Sequence, residues 1–418
     1  MGGGQQSNKM SKIPAKKKFF CMLVSFEGIF QYINQKQYII EQISKSFESF
    51  YLINSEKLEF FSKKKPIQID KIKKELPKNC LIIDPKNSAE FLSFAKNKEL
   101  IILSNVGRLW RHFKIHYLLK KTNTKLIYLQ NIGNFQTTAY PKFRSFMFQY
   151  LLKHLPHKIL IILSILNFFP KVHLRFLADK RNYEKAINNF YYKFSKKNKF
   201  IKLFYTEDYV LINSLAYDIT VSNIFKISEE KIVMVDTNIN HKDNLVYSGR
   251  INETKVKKIY KTLEIFLNKI SKLYNKSVVV CVHPSSNLKK IKSYLKNFEV
   301  VKYKTKENIY KKFLTFFYDS SSIVDAFILR KNLIVLENEM MGESITTLCN
   351  IYPPKTGIMK INLNQEYFLK NKNHFIKKIR NTTNSKKYND FVNTNLQADG
   401  VNNGTKKFIK IITDRYFN

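Results

Sequence analysis

A chain of 418 residues is too long for one ordinary hydrophobic core, which points to two domains. With 44% hydrophobic and 14% aromatic residues it has apolar material for both, and this excludes a disordered chain. A formal net charge of +41, from 73 Lys and Arg against 32 Asp and Glu, excludes indifference to polyanions: anionic lipid, nucleotide phosphate and nucleic acid are all attracted.

The lysines are spread along the chain rather than gathered in one block, and Asn, Ile, Phe and Tyr are plentiful while Gly and Pro are few, as AT-rich codons would produce. This favours compositional bias with general adhesion to an anionic membrane surface over specific recognition of nucleic acid. Cys21, Cys80, Cys281 and Cys349 form no CxxC pair, and Cys21 and Cys281 sit inside apolar runs, so they read as core residues in a reducing compartment. The opening MGGGQQSNKM has no apolar signal core, and Gln6 stands where a myristoylation motif takes Ser or Thr; a cytoplasmic protein is expected. The most apolar stretch, Ile159 to Phe169, is about half of a membrane span and reads as a buried or interfacial helix.

In chain order, Phe19 to Ser25 is the first strand, a helical pattern covers Ile33 to Phe47, and Phe50 to Ile53 is the next strand. Short apolar runs recur at Cys80–Ile83, Leu100–Leu103 and Leu126–Leu129, each separated by enough chain for a helix or a long loop. Strands alternating with helical patterns predict a parallel sheet. From Tyr140 to about Phe204 the chain is dense in aromatics and Lys/Arg and reads as amphipathic helices, covering the first sheet or lying on an anionic membrane. A second α/β series is expected from Val246, with Val246–Arg250 as a strand end and turn. A long amphipathic helix from Glu253 follows, apolar at Val256, Ile259, Tyr260, Leu263, Ile265, Phe266 and Ile270. Then come a strand at Ser277–Val282, a strand at Leu314–Tyr318, a helix at Ile323–Leu329 and a strand at Leu333–Leu336. The pattern divides the chain into an N-terminal α/β domain (1–242), a C-terminal one (243–398) and a last segment (399–418), whose helix at Lys406–Tyr416 is expected to return to the N-terminal domain.

Two places interrupt strong strand signals at the C-terminal edge of a parallel sheet, where open α/β folds hold ligands. The first is His283-Pro284-Ser285-Ser286. Pro284 biases His283 toward an extended backbone, placing an imidazole at the sheet edge, where it can donate to a phosphate oxygen; the alternative is a strand-ending His bonded to a loop carbonyl. The second is Asp319-Ser320-Ser321-Ser322, whose hydroxyls at a helix start suit a phosphate; the alternative is plain N-capping.

Together, a strand-HP element and a strand-SS-helix element resemble the donor-site pair of GT-B glycosyltransferases that use CMP- or CDP-activated donors. That group includes bacterial sialyltransferases, polysialyltransferases and Kdo transferases, and the glycerophosphotransferases of teichoic acid synthesis show a related pattern. The stretch VYSGRINETKVKKIYKTLEIFLNKIS is similar to the opening of a donor domain in surface-polysaccharide transferases, and the resemblance covers roughly residues 243 to 340. It implies two Rossmann-like α/β/α domains facing across a cleft. It also implies that His283 stabilises the donor phosphate, that Ser321 and Ser322 bind it with Ser320 sharing the role, and that Pro284 is structural. It implies no metal and no cofactor.

The acceptor's general base is then expected from the N-terminal domain, with Glu27 best placed just after the first strand, and Asp84 and Asp208 as weaker candidates. Asn105–Arg108 and Gln130–Gly133 are candidates for lining the acceptor cleft. The expected partners are a nucleotide-sugar donor, a surface polysaccharide, lipooligosaccharide or other glycolipid acceptor, and the inner face of the cytoplasmic membrane, with no specific nucleic acid. The rival readings are a CDP-glycerol- or ribitol-type polyol-phosphate transferase, a non-catalytic basic protein binding RNA or membrane, and a degenerate transferase that keeps the fold without a base.

Overall fold

The computed structural model describes residues 17–25, 29–59, 69–104, 113–122, 124–130, 170–189, 192–193, 208–222, 228–240, 251–320, 323–330, 332–363, 372–400 and 403–418. Among the described residues, thirteen strands form two sheets. The first holds β1 (Lys17–Val24), β2 (Phe50–Asn54), β3 (Cys80–Ile83), β4 (Lys98–Ser104), β5 (Thr124–Gln130), β6 (Val172–Leu177) and β7 (Asp208–Leu211), in the order β3-β2-β1-β4-β5-β6-β7. The second holds β8 (Lys231–Val235), β9 (Val278–Val282), β10 (Glu299–Lys302), β11 (Lys312–Phe317), β12 (Leu333–Glu337) and β13 (Met359–Asn362), in the order β10-β9-β8-β11-β12-β13. All strand pairs are parallel. Each sheet therefore grows outward from its first strand in both directions and reverses order once, between β1 and β4 and between β8 and β11.

Burial on both faces explains the composition of the central strands. In β1, Phe20, Met22 and Val24 enter one core cluster while Cys21 and Leu23 enter the cluster on the other face. In β9 every residue of VVVCV is buried. Burial pushes the thiols of Cys21, Cys281 and Cys349 well above the ordinary thiol range, so all three behave as small apolar residues.

The helix Glu253–Tyr274 shows how a local pattern becomes packing. Asn252 caps its start by accepting from the Lys255 amide at 2.9 Å, and Asn275 ends it in the left-handed region at φ 49°. Its stripe of Val256, Ile259, Tyr260, Leu263, Phe266, Leu267, Ile270 and Tyr274 is buried against the second sheet. Each aliphatic side chain in that stripe contributes about 2 kcal/mol through area removed from water. Ile265, expected on the stripe, is 49% exposed, because it lies off the line of Leu263, Phe266 and Ile270.

Three further expectations change. The second sheet begins at β8, upstream of residue 243, because KIVMV pairs with β9 and β11, a contact between distant segments that the local pattern does not contain. The basic aromatic region contains a strand, β6, whose VHLRFL alternates buried and half-buried residues, so its His and Arg occupy the less buried positions of a strand rather than the polar face of a helix. The four-residue strands β10 and β13 are missing from the sequence pattern because EVVK and MKIN each hold only two apolar residues. The segments Ile159–Phe169 and Val246–Arg250 lie outside the described residues.

The chain passes between the sheets twice, and the two passages run side by side. After β7, Ser214 donates its amide to Leu396 O at 2.9 Å, and Asn213 Nδ2 donates to Gly400 O at 2.8 Å. The last helix, Gly404–Ile412, places Phe408, Ile409 and Ile412 in the cluster built on Phe20 and Met22 of the first sheet. Among the described residues, no helix is long and apolar enough to cross a membrane.

Candidate functional site

Strand pairing brings the ends of the second sheet's strands to one C-terminal edge. Lys302 is paired with Val282, Val235 with Cys281 and Phe317, and Phe317 with Val335. Just beyond these pairs the chain holds Tyr303, His283, Thr237 and Asp319, while Glu337 is itself paired with Asn362. His283 follows β9 and Asp319 lies two residues beyond β11, the strands flanking β8, whose ends lie roughly 10 Å apart across the point where the strand order reverses.

His283 is held by a tight turn. The Ser286 amide donates to His283 O at 2.9 Å, with Pro284 at the second position of the turn, where its fixed φ is an advantage. The ring is fixed from behind: the Ser285 amide donates to His283 Nδ1 at 3.1 Å, and Ser285 Oγ lies 2.8 Å from the same nitrogen. Asn238 Nδ2, from the loop after β8, donates to Ser285 Oγ at 2.8 Å. With Nδ1 accepting, the neutral imidazole carries its proton on Nε2, as a donor. Ser285 and Asn238 are the residues the sequence pattern did not single out; Ser285 was legible as part of HPSS, whereas Asn238 follows a strand that was not recognised.

After β11, Asp319 accepts from the Tyr352 hydroxyl at 3.1 Å. Ser320 O accepts from the Ile323 amide at 3.3 Å, and the cap position of the helix Val324–Ile328 falls on Ile323, with no side-chain cap. The N-cap position of that helix is thus Ile323 rather than one of the preceding serines. Ser321 and Ser322 lie outside the described residues, as does Glu27.

Tyr303 was missed. It is 67% exposed and sits at φ 66°, a left-handed conformation that a bulky residue adopts only under constraint. Lys302 beside it donates from Nζ to Ser286 O at 3.1 Å and stands 5.5 Å from the centre of the Tyr303 ring, joining this aromatic to the His283 turn.

Of the two weaker carboxylates, one stands at the opposite edge of the first sheet and the other at the far side of its C-terminal edge. Asp208 is the first residue of β7, at the N-terminal end of the sheet, and pairs with Arg415 at 2.6 Å. Asp84 follows β3, the outermost strand, and is occupied by Lys57 at 2.6 Å and Asn54 Nδ2 at 2.8 Å. Asn105–Arg108 and residues 131–133 lie outside the described residues.

No protein-family model matches the sequence, and no curated protein sequence matches it. Among solved structures, apo UGT2 of Phytolacca americana superposes with a TM-score of 0.51 at 8% identity, covering 96% of this chain and 100% of that one. The UDP-GlcNAc 2-epimerase from Methanocaldococcus jannaschii gives 0.49 at 12% identity, covering 95% and 99%. The wall teichoic acid polymerase TagF gives 0.47 at 10% identity, covering 94% and 88%. Likeness at this level concerns architecture: the chain has the two-domain, doubly wound Rossmann-like α/β fold of the GT-B type.

Proposed function

We propose that the chain is a metal-independent glycosyltransferase that moves a sugar from a nucleotide-activated donor, CMP- or CDP-linked in preference, to a surface polysaccharide or lipooligosaccharide acceptor. The observation that carries this reading is the meeting of His283 and the Asp319-Ser320 turn on either side of β8, at the reversal of strand order. In this reading His283, fixed with its proton on Nε2, donates to a donor phosphate oxygen and stabilises the charge that grows there as the sugar leaves. Ser320, Ser321 and Ser322 bind the same phosphate, Pro284 shapes the turn, and Tyr303 offers its ring as a stacking platform for the base. Glu27 is the proposed acceptor base. The residues from 243 to 398, together with β8, form the donor side. The excess of lysine holds the protein at the inner face of the cytoplasmic membrane.

The test is a thermal-shift and calorimetric screen of CMP, CDP, UDP, GDP and dTDP. A nucleotide at a hundred times its Kd stabilises the fold by about 2.7 kcal/mol. Selective stabilisation by cytidine nucleotides supports the reading as stated, and stabilisation by UDP or dTDP moves the donor class. No response to any nucleotide, with tight salt-sensitive binding of RNA or anionic vesicles instead, overturns it.

A further inference from the structure

The helix Glu253–Tyr274 sorts its charges by direction. Its buried stripe faces the second sheet, and on the opposite side, at spacings of three and four residues, run Lys258, Lys261, Ile265, Lys269 and Lys272. Lys258, Lys261 and Lys272 are exposed, Lys269 is half-buried, and Ile265 at the centre of the row is 49% exposed. From Lys258 to Lys272 the row is about 21 Å long.

Both carboxylates of this helix are turned away from the row, toward the helix Leu288–Tyr294 and the turn that follows it. Glu253 accepts from Lys290 and from the Tyr294 hydroxyl, and Glu264 accepts from Asn297 Nδ2 at 3.4 Å. Among the described residues, Lys258, Lys261 and Lys272 take part in no ion pair. Abundance of lysine alone does not account for this, because the same helix holds carboxylates and keeps them on its flank. Lys258 and Lys261 are like charges one helical turn apart, as are Lys269 and Lys272, and such pairs weaken a helix. The fold gains nothing from this arrangement, whereas a surface of negative charge laid along the row relieves it.

The exposed isoleucine selects among polyanions. A phosphate backbone offers it no apolar contact. At a bilayer surface it reaches the boundary of the acyl chains while the lysines on either side reach the headgroups.

We propose that the row Lys258, Lys261, Ile265, Lys269 and Lys272 is the face by which the protein docks on an anionic lipid bilayer, with the helix lying in the plane of the surface. This rests on the membrane attachment proposed above and assigns it to one helix of the second sheet rather than to the summed charge of the chain.

The experiment measures co-sedimentation of the full chain with vesicles of phosphatidylcholine alone and of an equimolar mixture with phosphatidylglycerol, over a range of salt. Wild type is compared with the row variant Lys258→Glu/Lys261→Glu/Lys272→Glu. The control is Lys71→Glu/Lys73→Glu/Lys74→Glu, which changes three exposed lysines of the helix Ile69–Lys74 and alters the net charge equally. The row variant is expected to lose affinity for the mixed vesicles about a hundredfold, since each lysine near such a surface is worth about fivefold. The control is expected to lose less than about tenfold, through the long-range field alone, and that loss fades as salt rises. Ile265→Trp is expected to shift its emission to the blue on the mixed vesicles, read as the difference from wild type, whose single tryptophan is Trp110.

Urea unfolding checks that each variant keeps wild-type stability, and Lys258→Gln, Lys261→Gln and Lys272→Gln together carry the test if the glutamates disturb the helix. Equal losses in the row and control variants overturn the inference and return the attachment to the summed charge. A tryptophan at position 265 whose emission does not move on the mixed vesicles overturns it as well. If the row variant keeps its vesicle affinity and loses binding to single-stranded RNA instead, the row is a nucleic-acid surface and the lipid assignment is overturned. A wild type that binds both kinds of vesicle alike overturns the membrane attachment itself, and the docking face with it.

Discussion

The carboxylate of Asp218 accepts from both the amide and the hydroxyl of Thr405, each at 2.7 Å, and from the Gly404 amide at 3.0 Å. Asp218 belongs to the helix Leu215–Ser222, which leads out of the first sheet, and Thr405 to the first turn of the helix that returns to it. One buried side chain thus receives the unpaired amides of a helix start and holds the two inter-sheet passages together.

Replacing Asp218 by Ala leaves those amides and the Thr405 hydroxyl without an acceptor in a buried setting. The expected cost is about 3 kcal/mol. Urea unfolding followed by far-UV circular dichroism measures it, and a loss below about 1 kcal/mol contradicts the assigned role.

Gly404 is constrained by space. A Cβ there would stand 2.6 Å from the backbone oxygen of Asn213 and 3.1 Å from its nitrogen, and neither passage has slack to yield. Gly404→Ala is expected to destabilise by about 2 kcal/mol despite the better helix propensity of Ala. Combined with Asp218→Ala it should be non-additive, because both changes act on one contact, and a double-mutant cycle reads this directly.

His283→Ala should leave the unfolding free energy within about 1 kcal/mol, since the turn's closing bond is made by main-chain atoms. Nucleotide affinity should fall about tenfold, the worth of a hydrogen bond to a charged group. Ser285→Ala, which removes the hydroxyl between Asn238 and the ring, should cost less and do so with the nucleotide contacts intact. Equal affinities for all three proteins by calorimetry would remove His283 from the site.

Tyr303→Gly separates stability from binding. Glycine relieves the left-handed backbone, so stability should hold or rise by about 1 kcal/mol. Loss of the ring should weaken nucleotide binding about tenfold, the usual worth of one base stacked on an aromatic. A variant that is destabilised yet binds nucleotide normally would make the exposed ring a structural feature only.

The sequence by itself determined that this is a two-domain α/β protein. Runs such as FFCMLV and VVVCV are apolar at every position because a parallel strand is covered on both faces, and that demand is visible residue by residue. It also marked His283 and Ser320, because polar residues breaking such runs stand out locally. Only the tertiary structure decided where the second sheet begins and what the chemistry is built on. The position of β8 between β9 and β11 sets the turns at His283 and Asp319 on either side of it and brings Asn238 to Ser285. Asn238 and Ser285 are 47 positions apart and carry no shared motif; strand pairing alone makes them neighbours. Periodicity reports the environment of one segment at a time, whereas register and crossover contacts are settled between segments distant in the chain, so their residues gain meaning only once the sheets have formed.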